Sequence, residues 1–385
     1  MPCPARSLLW QFSPHGFAVV TWMVVCLAYS AVAQAPAPGH PKKLLGYYTY
    51  WSKYNNPPYA YSADQIPYRK LTHVAHAFVL LDKNADGTLK VPQGYLEPAL
   101  ITKAHAAGVK VLVSIGGGDG IQGPRFNRMA RVETYRRAFV RNVHAFLEAN
   151  GYHGVDIDWE VPNAKDMSNC TTLMQELRNE LPAGQWLVSM ATPSDPRNWG
   201  QGFDIPALAP LVDFLNVMPY DFTGPWSATA GLNSPLWQDP ADPEQAGSVS
   251  TSMDLYQNTY GVSAWQLNIG TPFYGYEFAG ASGLWAECGG CTDSYLNYGS
   301  DIKPLVGKQG WQRHVDKAAQ SPYLLNASVP GFITYDDPAS TARKVRYVLN
   351  QRGFGGVFMW DLSADYDGKS EDLLDAMYRV WQTAR

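Results

Sequence analysis

The amino-acid sequence predicts an α/β fold, a (β/α)8 or TIM barrel, because eight short apolar segments alternate with helical segments along most of its 385 residues. Runs such as VLVSI and GVFMW are apolar at nearly every position, which is typical of parallel strands buried on both faces. The predicted strands cover residues 44–50, 71–81, 109–115, 154–160, 186–191, 214–220, 267–272 and 355–360.

Helical segments separate these strands. In residues 133–150, apolar side chains recur at three- and four-residue spacing, which predicts a helix with one buried face. Residues 341–351 and 371–382 are predicted to form two further helices. This alternation favours a closed barrel over an open, doubly wound sheet.

The interval between strands seven and eight is too long for one loop and one helix. It predicts a small α+β insertion at residues 276–335, which is rich in Gly, Tyr and Trp. Cys288 and Cys291 lie within it and could close a tight disulfide, leaving Cys170 free. A redox or metal role for this pair is disfavoured, since no second C-x-x-C or suitably spaced His pair accompanies it. We expect no metal ion and no cofactor.

The N-terminus predicts export. Arg6 precedes an uncharged stretch at residues 17–33 that closes with Ala31-Val32-Ala33, a typical cleavage site, so residues 1–33 are interpreted as a signal peptide. An uncleaved anchor is the alternative, but the stretch is shorter than the roughly 20 residues that span a bilayer. We expect a secreted protein, extracellular or periplasmic, without a stable membrane span.

The rest of the chain is predicted to be one catalytic domain, residues 44–385, preceded by an Ala- and Pro-rich linker at residues 34–43. Hydrophobic residues make up 46% and charged residues 17%, which supports a large core. The net charge of −4 argues against a nucleic-acid partner. The 13 Trp and 23 Tyr residues serve packing or, alternatively, stacking against sugar rings.

Strand four ends in DIDWE, residues 156–160. Because side chains alternate along a strand, Asp156, Asp158 and Glu160 share one face, which points into the mouth of the barrel where such folds place their catalytic groups. Three neighbouring carboxylates repel one another, which raises the pKa of at least one of them, as a general acid requires. A solvent-facing acidic end or a cation site is the alternative, and the apolar residues between the carboxylates disfavour it.

This strand end resembles the signature Asp-x-x-Asp-x-Asp-x-Glu of glycoside hydrolase family 18, the chitinases and their relatives. Three acidic positions match, and His153 takes the place of the first Asp. The resemblance covers residues 44–381, because further family motifs occur in order on the expected strands. They are Ser114-Ile115-Gly116-Gly117, Met218-Pro219-Tyr220-Asp221 with the continuation FTGPW, Pro272-Phe273-Tyr274-Gly275, and Trp360 at the end of strand eight.

The resemblance implies a chitinase that cuts β-1,4 bonds between N-acetylglucosamine units with retention, using the substrate's own acetamide as nucleophile. Glu160 is then the acid and later the base. Asp158 orients the acetamide, Asp156 shares a proton with Asp158, and Tyr220 donates a hydrogen bond to the acetamide oxygen. The protein is expected to be a monomer that binds chitin or N-acetylglucosamine oligosaccharides.

The resemblance also implies substrate-binding residues. Asp221 is expected to hold sugar hydroxyls and to tune Glu160, and Trp360 is expected to form the floor under the reacting sugar. The further candidates for lining the cleft, some of which serve packing equally well, are Met218, Tyr48, Phe78 and Trp226.

Three positions depart from the family pattern. We hypothesise that His153, bonded to Ser114, holds Asp156 by charge or hydrogen bond; the alternative is a tolerated substitution. Gly118 stands where many relatives carry Trp, and Tyr276 stands where Arg is frequent. The last two leave cleft length and substrate preference open.

Other functions remain alternatives. An endo-β-N-acetylglucosaminidase acting on N-glycans or peptidoglycan would use the same residues, although the insertion favours a deep cleft for a polymer. A chitin-binding lectin of this family typically lacks the residue equivalent to Glu160. A metal-dependent barrel hydrolase would spread its ligands over several strands. Endo or exo action stays open.

Overall fold

The computed structural model describes residues 41–288 and 292–384. The predicted signal peptide, residues 34–40 of the predicted linker, and Cys291 lie outside the described residues.

The strands form a closed parallel barrel and a separate antiparallel sheet. In chain order they are β1 (Lys43–Thr49), β2 (His73–Leu81), β3 (Leu89–Lys90), β4 (Lys110–Gly116), β5 (Gly154–Asp158), β6 (Leu187–Pro193), β7 (Phe214–Met218), β8 (Leu267–Pro272), β9 (Tyr274–Ala279), β10 (Thr292–Asn297), β11 (Trp311–Asp316), β12 (Ser321–Asn326), β13 (Gly331–Thr334) and β14 (Gly356–Trp360). The barrel consists of β1, β2, β4 to β8 and β14, and β1 pairs with both β2 and β14 to close the ring. The predicted (β/α)8 barrel is confirmed.

The ends of two barrel strands matter for the site. The observed barrel strands agree with the predicted ones to within two residues at each end. However, β5 ends at Asp158 and β7 ends at Met218, whereas the sequence predicts strands that continue to Glu160 and Tyr220. Glu160 and Tyr220 therefore lie in the turns that follow the strands, at the open end of the barrel.

The helices pack around the outside of the barrel strands. They are α1 (Pro98–Ala106), α2 (Gln122–Ala130), α3 (Glu133–Asn150), α4 (Met167–Glu180), α5 (Ile205–Leu208), α6 (Val249–Asp254), α7 (Pro338–Arg346), α8 (Leu362–Asp365) and α9 (Asp372–Thr383). Helix α3 has the predicted bounds, buries Phe139, Val143 and Leu147, and ends at Gly151, whose positive φ of 72° suits glycine. The second predicted helical segment, residues 341–351, combines the end of α7 with the helical turn Tyr347–Gln351.

Two apolar cores explain why the strands are apolar on both faces. On β4, Val111, Val113 and Ile115 pack outward with residues of the surrounding helices. The alternate residue Leu112 packs inside the barrel with residues such as Phe358 of β14. A strand that packs against the helices on one face and against the barrel interior on the other must be apolar at nearly every position, as the sequence pattern indicates.

The insertion between β8 and β14 is a five-stranded antiparallel sheet in the order β10-β9-β13-β12-β11. Its helical parts are the short turns Tyr298–Ile302 and Lys303–Leu305, so it is more β-rich than the predicted α+β unit. Cys288 is disulfide-bonded, and Cys170 is buried with a free thiol. The predicted partner Cys291 falls in the part of the chain that is not described.

None of the helices in residues 41–288 and 292–384 has the length and apolar composition needed to cross a bilayer.

Candidate active site

A cavity of about 500 Å³ opens at the carboxyl ends of the barrel strands. Most of the residues predicted for the site meet there. Those that line the cavity are Asp158, Glu160, Tyr220, Asp221, Met218, Phe78 and Trp360. The strand order brings these side chains together, because they lie on or directly after β2, β5, β7 and β14 around one ring.

Asp156 lies beneath the cavity and is fully buried. Its Oδ2 accepts hydrogen bonds from the Tyr47 hydroxyl and the Ser114 hydroxyl, both at 2.8 Å. Its Oδ1 accepts from the Ser189 hydroxyl at 2.6 Å and from Asn216 Nδ2 at 3.0 Å. Burial raises the pKa of Asp156, while these four donors lower it. The donors therefore stabilise the carboxylate form of a group that burial disfavours.

Asp158 and Glu160 form a hydrogen-bonded pair of carboxyl groups above Asp156. Burial raises the pKa of Asp158 well above its usual range, and the charges of Glu160 and Asp156 raise it further. Burial and the charge of Asp221 raise the pKa of Glu160 to about 7. The pair thus holds a proton at neutral pH, which is the state that a general acid needs.

One oxygen of Asp158 is buried and receives no hydrogen bond from an N–H or hydroxyl group of the described chain. Within the described part of the chain, the buried Oδ1 of Asp158 has no hydrogen-bond partner. A buried polar atom without a partner is costly unless a ligand satisfies it. Oδ1 therefore needs either the proton of the Asp158–Glu160 pair or a donor from a bound molecule.

Tyr220 and Asp221 follow β7 and close one side of the cavity. The ring of Tyr220 packs edge-on against Tyr274 at a centroid distance of 6.1 Å. The carboxylate of Asp221 accepts hydrogen bonds from the hydroxyls of Tyr274 and Tyr276 at 2.5 and 2.9 Å. Asp221 has a positive φ of 60°, and its backbone N–H donates to Asn233 Oδ1 at 2.8 Å. Its position is thus fixed by residues of the insertion sheet.

Trp360 ends β14 and presents its indole ring to the cavity. The ring stacks on Phe78 at a centroid distance of 5.5 Å and an interplanar angle of 19°. Tyr47 packs against it at 5.5 Å with tilted rings. The flat, rigid face that results suits a sugar ring.

Comparison with known proteins identifies the family. The model of glycosyl hydrolases family 18 matches residues 43–365. The chain belongs to glycosyl hydrolases family 18. Among the solved structures of this fold, a mutant of the Group II chitinase catalytic domain 2 of Ostrinia furnacalis, crystallised with (NAG)5, is 26% identical with a TM-score of 0.81. The alignment covers 89% of this chain and 97% of that one.

Two relatives of known name are a chitinase and a probable endochitinase. A probable endochitinase of Caenorhabditis elegans is 30% identical over 353 residues, which is 83% of this chain and 55% of the relative. Chitinase A1 of Niallia circulans is 27% identical over 412 residues, which is 87% of this chain and 58% of the relative. The chain thus spans a little over half the length of these two relatives.

The prediction for Tyr48 is wrong. Tyr48 is fully buried; its hydroxyl donates to Glu97 Oε1 at 2.7 Å, and its ring stacks on His76. Its neighbour Tyr47 faces the barrel interior and lines the cavity instead. Adjacent residues of a strand point to opposite faces, so an error of one residue reverses the assignment.

Trp226 is likewise outside the cavity lining. Its side chain is 57% exposed, and its ring contacts the edge of Tyr276 at a centroid distance of 5.7 Å. Trp226 therefore lies beside a cavity residue rather than in the cavity.

The hypothesis for His153 is also wrong. The Nδ1 of His153 accepts a hydrogen bond from the backbone N–H of Val111 at 3.0 Å, and its ring packs edge-on against His105. Burial and the nearby charge of Lys110 lower its pKa to about 4, so it is neutral at neutral pH. His153 precedes β5, at the end of the barrel opposite Glu160, and Ser114 bonds Asp156 without its help.

Sequence reasoning missed several aromatic residues of the cavity. They are Tyr47, Tyr50, Trp51, Trp199, Tyr274 and Tyr295. A usable signal existed for two of them, because Tyr50 ends the first predicted strand and Trp51 directly follows it, where barrel folds place functional residues. In the described residues, no group of three or more His, Cys, Asp or Glu side chains is arranged to hold a metal ion.

Proposed function

We propose that this family 18 protein is a secreted chitinase that hydrolyses β-1,4 bonds between N-acetylglucosamine units with retention, by substrate-assisted catalysis. The observation that carries the proposal is the buried Asp158–Glu160 pair in an aromatic cavity at the mouth of the barrel. The names of the relatives and the (NAG)5 complex of the Ostrinia furnacalis domain support it.

The placement of the carboxylates favours the substrate's acetamide as nucleophile. A protein nucleophile would face the acid across the scissile bond, with the two carboxyl groups about 5–5.5 Å apart. Here Asp158 is hydrogen-bonded to Glu160 on the same strand end, so both lie on one side of a bound sugar. The other nearby carboxylate, Asp221, accepts hydrogen bonds from two tyrosine hydroxyls.

In the first step, Glu160 donates its proton to the glycosidic oxygen. The acetamide oxygen attacks the anomeric carbon as the bond to the leaving sugar breaks, which gives a cyclic oxazolinium ion. Asp158 accepts a hydrogen bond from the acetamide N–H and stabilises the positive charge. Tyr220 donates to the acetamide oxygen and holds it near the anomeric carbon.

In the second step, a water molecule attacks the anomeric carbon from the face that the leaving sugar vacated. Glu160 takes the proton of this water, and the oxazolinium ring opens to restore the acetamide. Two displacements at one carbon give net retention. Every proton returns to its starting group, so the enzyme is ready for another turnover.

Asp156 acts beneath this pair. The sequence predicts that it shares a proton with Asp158, whereas in this conformation Asp158 bonds to Glu160 and Asp156 already accepts four hydrogen bonds. We therefore assign Asp156 mainly the role of a fixed negative charge that helps to raise the pKa of Asp158.

The remaining cavity residues bind the sugar. Trp360, stacked on Phe78, supports the apolar face of the reacting ring. Asp221 accepts hydrogen bonds from sugar hydroxyls, and Met218, the last residue of β7, lines the same cavity. The insertion contributes Tyr274, Tyr276 and Tyr295 to one wall, and such a wall suits an extended polymer.

Hydrolysis of chitin oligomers tests the proposal directly. We expect turnover of (GlcNAc)6 and of colloidal chitin, loss of at least a hundredfold in Glu160→Gln, and no comparable rate on a high-mannose glycoprotein or on peptidoglycan. Binding of the oligomers without turnover would instead indicate a lectin. Faster cleavage of the glycoprotein or peptidoglycan would indicate the alternative enzyme. Secretion is tested by mass spectrometry of the exported chain, which should begin after Ala33.

A further inference from the structure

Trp199 is an exposed indole in the wall of the catalytic cavity. Its side chain is 43% exposed, and it lies in the loop that follows β6. A large flat apolar surface left open beside catalytic carboxylates is well suited to stack on a ligand ring. No motif of the sequence draws attention to it, since it lies outside the family signatures.

Hydrogen bonds within the loop that carries Trp199 fix its backbone. The backbone N–H of Trp199 donates to the carbonyl of Asp195 at 3.2 Å, and the N–H of Gln201 donates to the carbonyl of Trp199 at 2.8 Å. The carboxylate of Asp195 is fixed in turn by two hydrogen bonds from the guanidinium of Arg197, at 2.8 and 2.6 Å. The indole is therefore presented by an ordered turn.

The same loop packs against the segment that directly follows Glu160. A Cβ added to Gly200 would lie 2.5 Å from the carbonyl oxygen of Pro162, and the φ of Gly200 is +70°, so a glycine is required at this close approach. An isolated bridge also pairs Asn163 with Gln201. Trp199 is thus attached to the Glu160 side of the cavity.

The barrel places Trp199 and Trp360 on opposite halves. In the eight-stranded ring, β14 is the fourth strand from β5 in either direction, so the two strands lie opposite each other. Glu160, which follows β5, therefore faces Trp360 across the cavity. The reacting sugar lies on Trp360, and Glu160 protonates the oxygen that links it to the next sugar. Because Trp199 adjoins the Glu160 side, that next sugar, the leaving group, is the unit it can reach.

Other residues on this side offer no comparable surface. Among the described cavity residues from the loops after β4, β5 and β6, Trp199 is the one aromatic side chain. Gly118 also lines the cavity but has no side chain, and a Cβ there would lie 2.7 Å from the Glu160 carboxyl group. Position 118 therefore has no space for a stacking ring while Glu160 keeps this orientation.

We propose that Trp199 is the stacking platform for the sugar on the leaving-group side of the scissile bond, and that it also binds the incoming acceptor when the enzyme transfers rather than hydrolyses. The proposal rests on the proposed function. It makes Trp199 a determinant of substrate length and of the ratio of transfer to hydrolysis, not a residue that reacts.

The test uses the oxazoline of chitobiose as donor, because this substrate has no leaving sugar and occupies only the Trp360 side. Its hydrolysis is measured alone, and its transfer is measured against increasing concentrations of (GlcNAc)4 as acceptor. In Trp199→Ala we expect the acceptor concentration at half-maximal transfer to rise about tenfold, a factor that corresponds to about 1.4 kcal/mol. The rate of oxazoline hydrolysis should change far less.

Three variants control the test. Trp199→Phe keeps a ring and should recover most of the acceptor binding. Trp51→Ala removes a cavity indole of similar exposure, 41%, after β1 on the donor side, so its effect should fall on oxazoline hydrolysis rather than on acceptor saturation. Tyr54→Ala removes a 65% exposed ring outside the cavity and should alter neither rate.

The outcomes separate this inference from the proposed function. A wild-type protein that turns over neither the oxazoline nor (GlcNAc)6 would refute the proposed function itself. An active wild type whose acceptor saturation is the same in Trp199→Ala, or shifts equally in Trp51→Ala, would overturn the role of Trp199. Matching thermal melting temperatures of the two Trp199 variants exclude misfolding as the cause of a loss.

Discussion

Replacing Asp221 by Asn tests how the proton of Glu160 is held. Burial is the largest cause of the raised pKa of Glu160, and the negative charge of Asp221 is the next. An asparagine keeps the shape and can still accept from Tyr274 and Tyr276 through its oxygen, but it removes the charge. Without that charge the proton is held less tightly, so the pKa of Glu160 must fall.

The size of the effect is bounded by the structure. The pKa of Glu160 rises from 4.5 to about 7, so the full rise is about 2.5 pH units, and Asp221 accounts for only part of it. One neighbouring charge typically shifts a pKa by about 1–3 units. We therefore expect a fall of about one pH unit in Asp221→Asn.

The assay is the pH dependence of kcat/KM on (GlcNAc)4. Glu160 must be protonated to act as an acid, so activity is present below its pKa and is lost as the pH rises through it. This loss of activity at high pH is the basic limb of the pH profile. A lower pKa of Glu160 moves the basic limb to lower pH, even if weaker sugar binding also lowers the absolute rate. Asp119→Asn is the matched control, because Asp119 raises the pKa of Glu160 less than Asp221 does. A basic limb of Asp221→Asn that stays in place or moves to higher pH would refute this reasoning.

Two further variants test the groups below the cavity. Ser189→Ala removes one of four donors to the buried Asp156 carboxylate and should lower the free energy of unfolding, measured in urea, by about 1.5–3 kcal/mol. The control Ser62→Ala, in a surface turn, should change it by less than about 0.5 kcal/mol. Equal effects of the two variants would contradict a stabilising role of the hydrogen bonds to Asp156. His153→Ala should leave the pH dependence of kcat/KM unchanged, since His153 contacts neither Ser114 nor Asp156, and a shifted profile would restore the hypothesis that the structure rejects.

The barrel and the cluster of carboxylates at its mouth were predictable because they depend on local patterns. Strands buried on both faces are apolar almost throughout, and an amphipathic helix such as α3 shows its period and its terminal glycine in the sequence. Asp156 and Asp158 lie two residues apart on β5, so strand alternation places them on one face, and Glu160 follows in the adjoining turn.

The other residues of the site could not be predicted, because they depend on which face of a strand a residue occupies and on contacts between distant segments. The run LLGYYTY is apolar on both faces, so its pattern does not distinguish Tyr47 from Tyr48. The donors Ser189 and Asn216 reach Asp156 from other strands across the barrel interior. Trp199 lies in an irregular loop, where no period predicts the direction of a side chain.

Rates on a series of chitobiosides with N-acetyl, N-fluoroacetyl, N-difluoroacetyl and N-trifluoroacetyl groups test the central claim most directly. If the acetamide oxygen is the nucleophile that Asp158 and Tyr220 hold in place, each fluorine withdraws electron density from it, and kcat/KM should fall steeply along the series. Rates that are nearly the same for all four substrates would contradict substrate-assisted catalysis and would require a nucleophile from the protein.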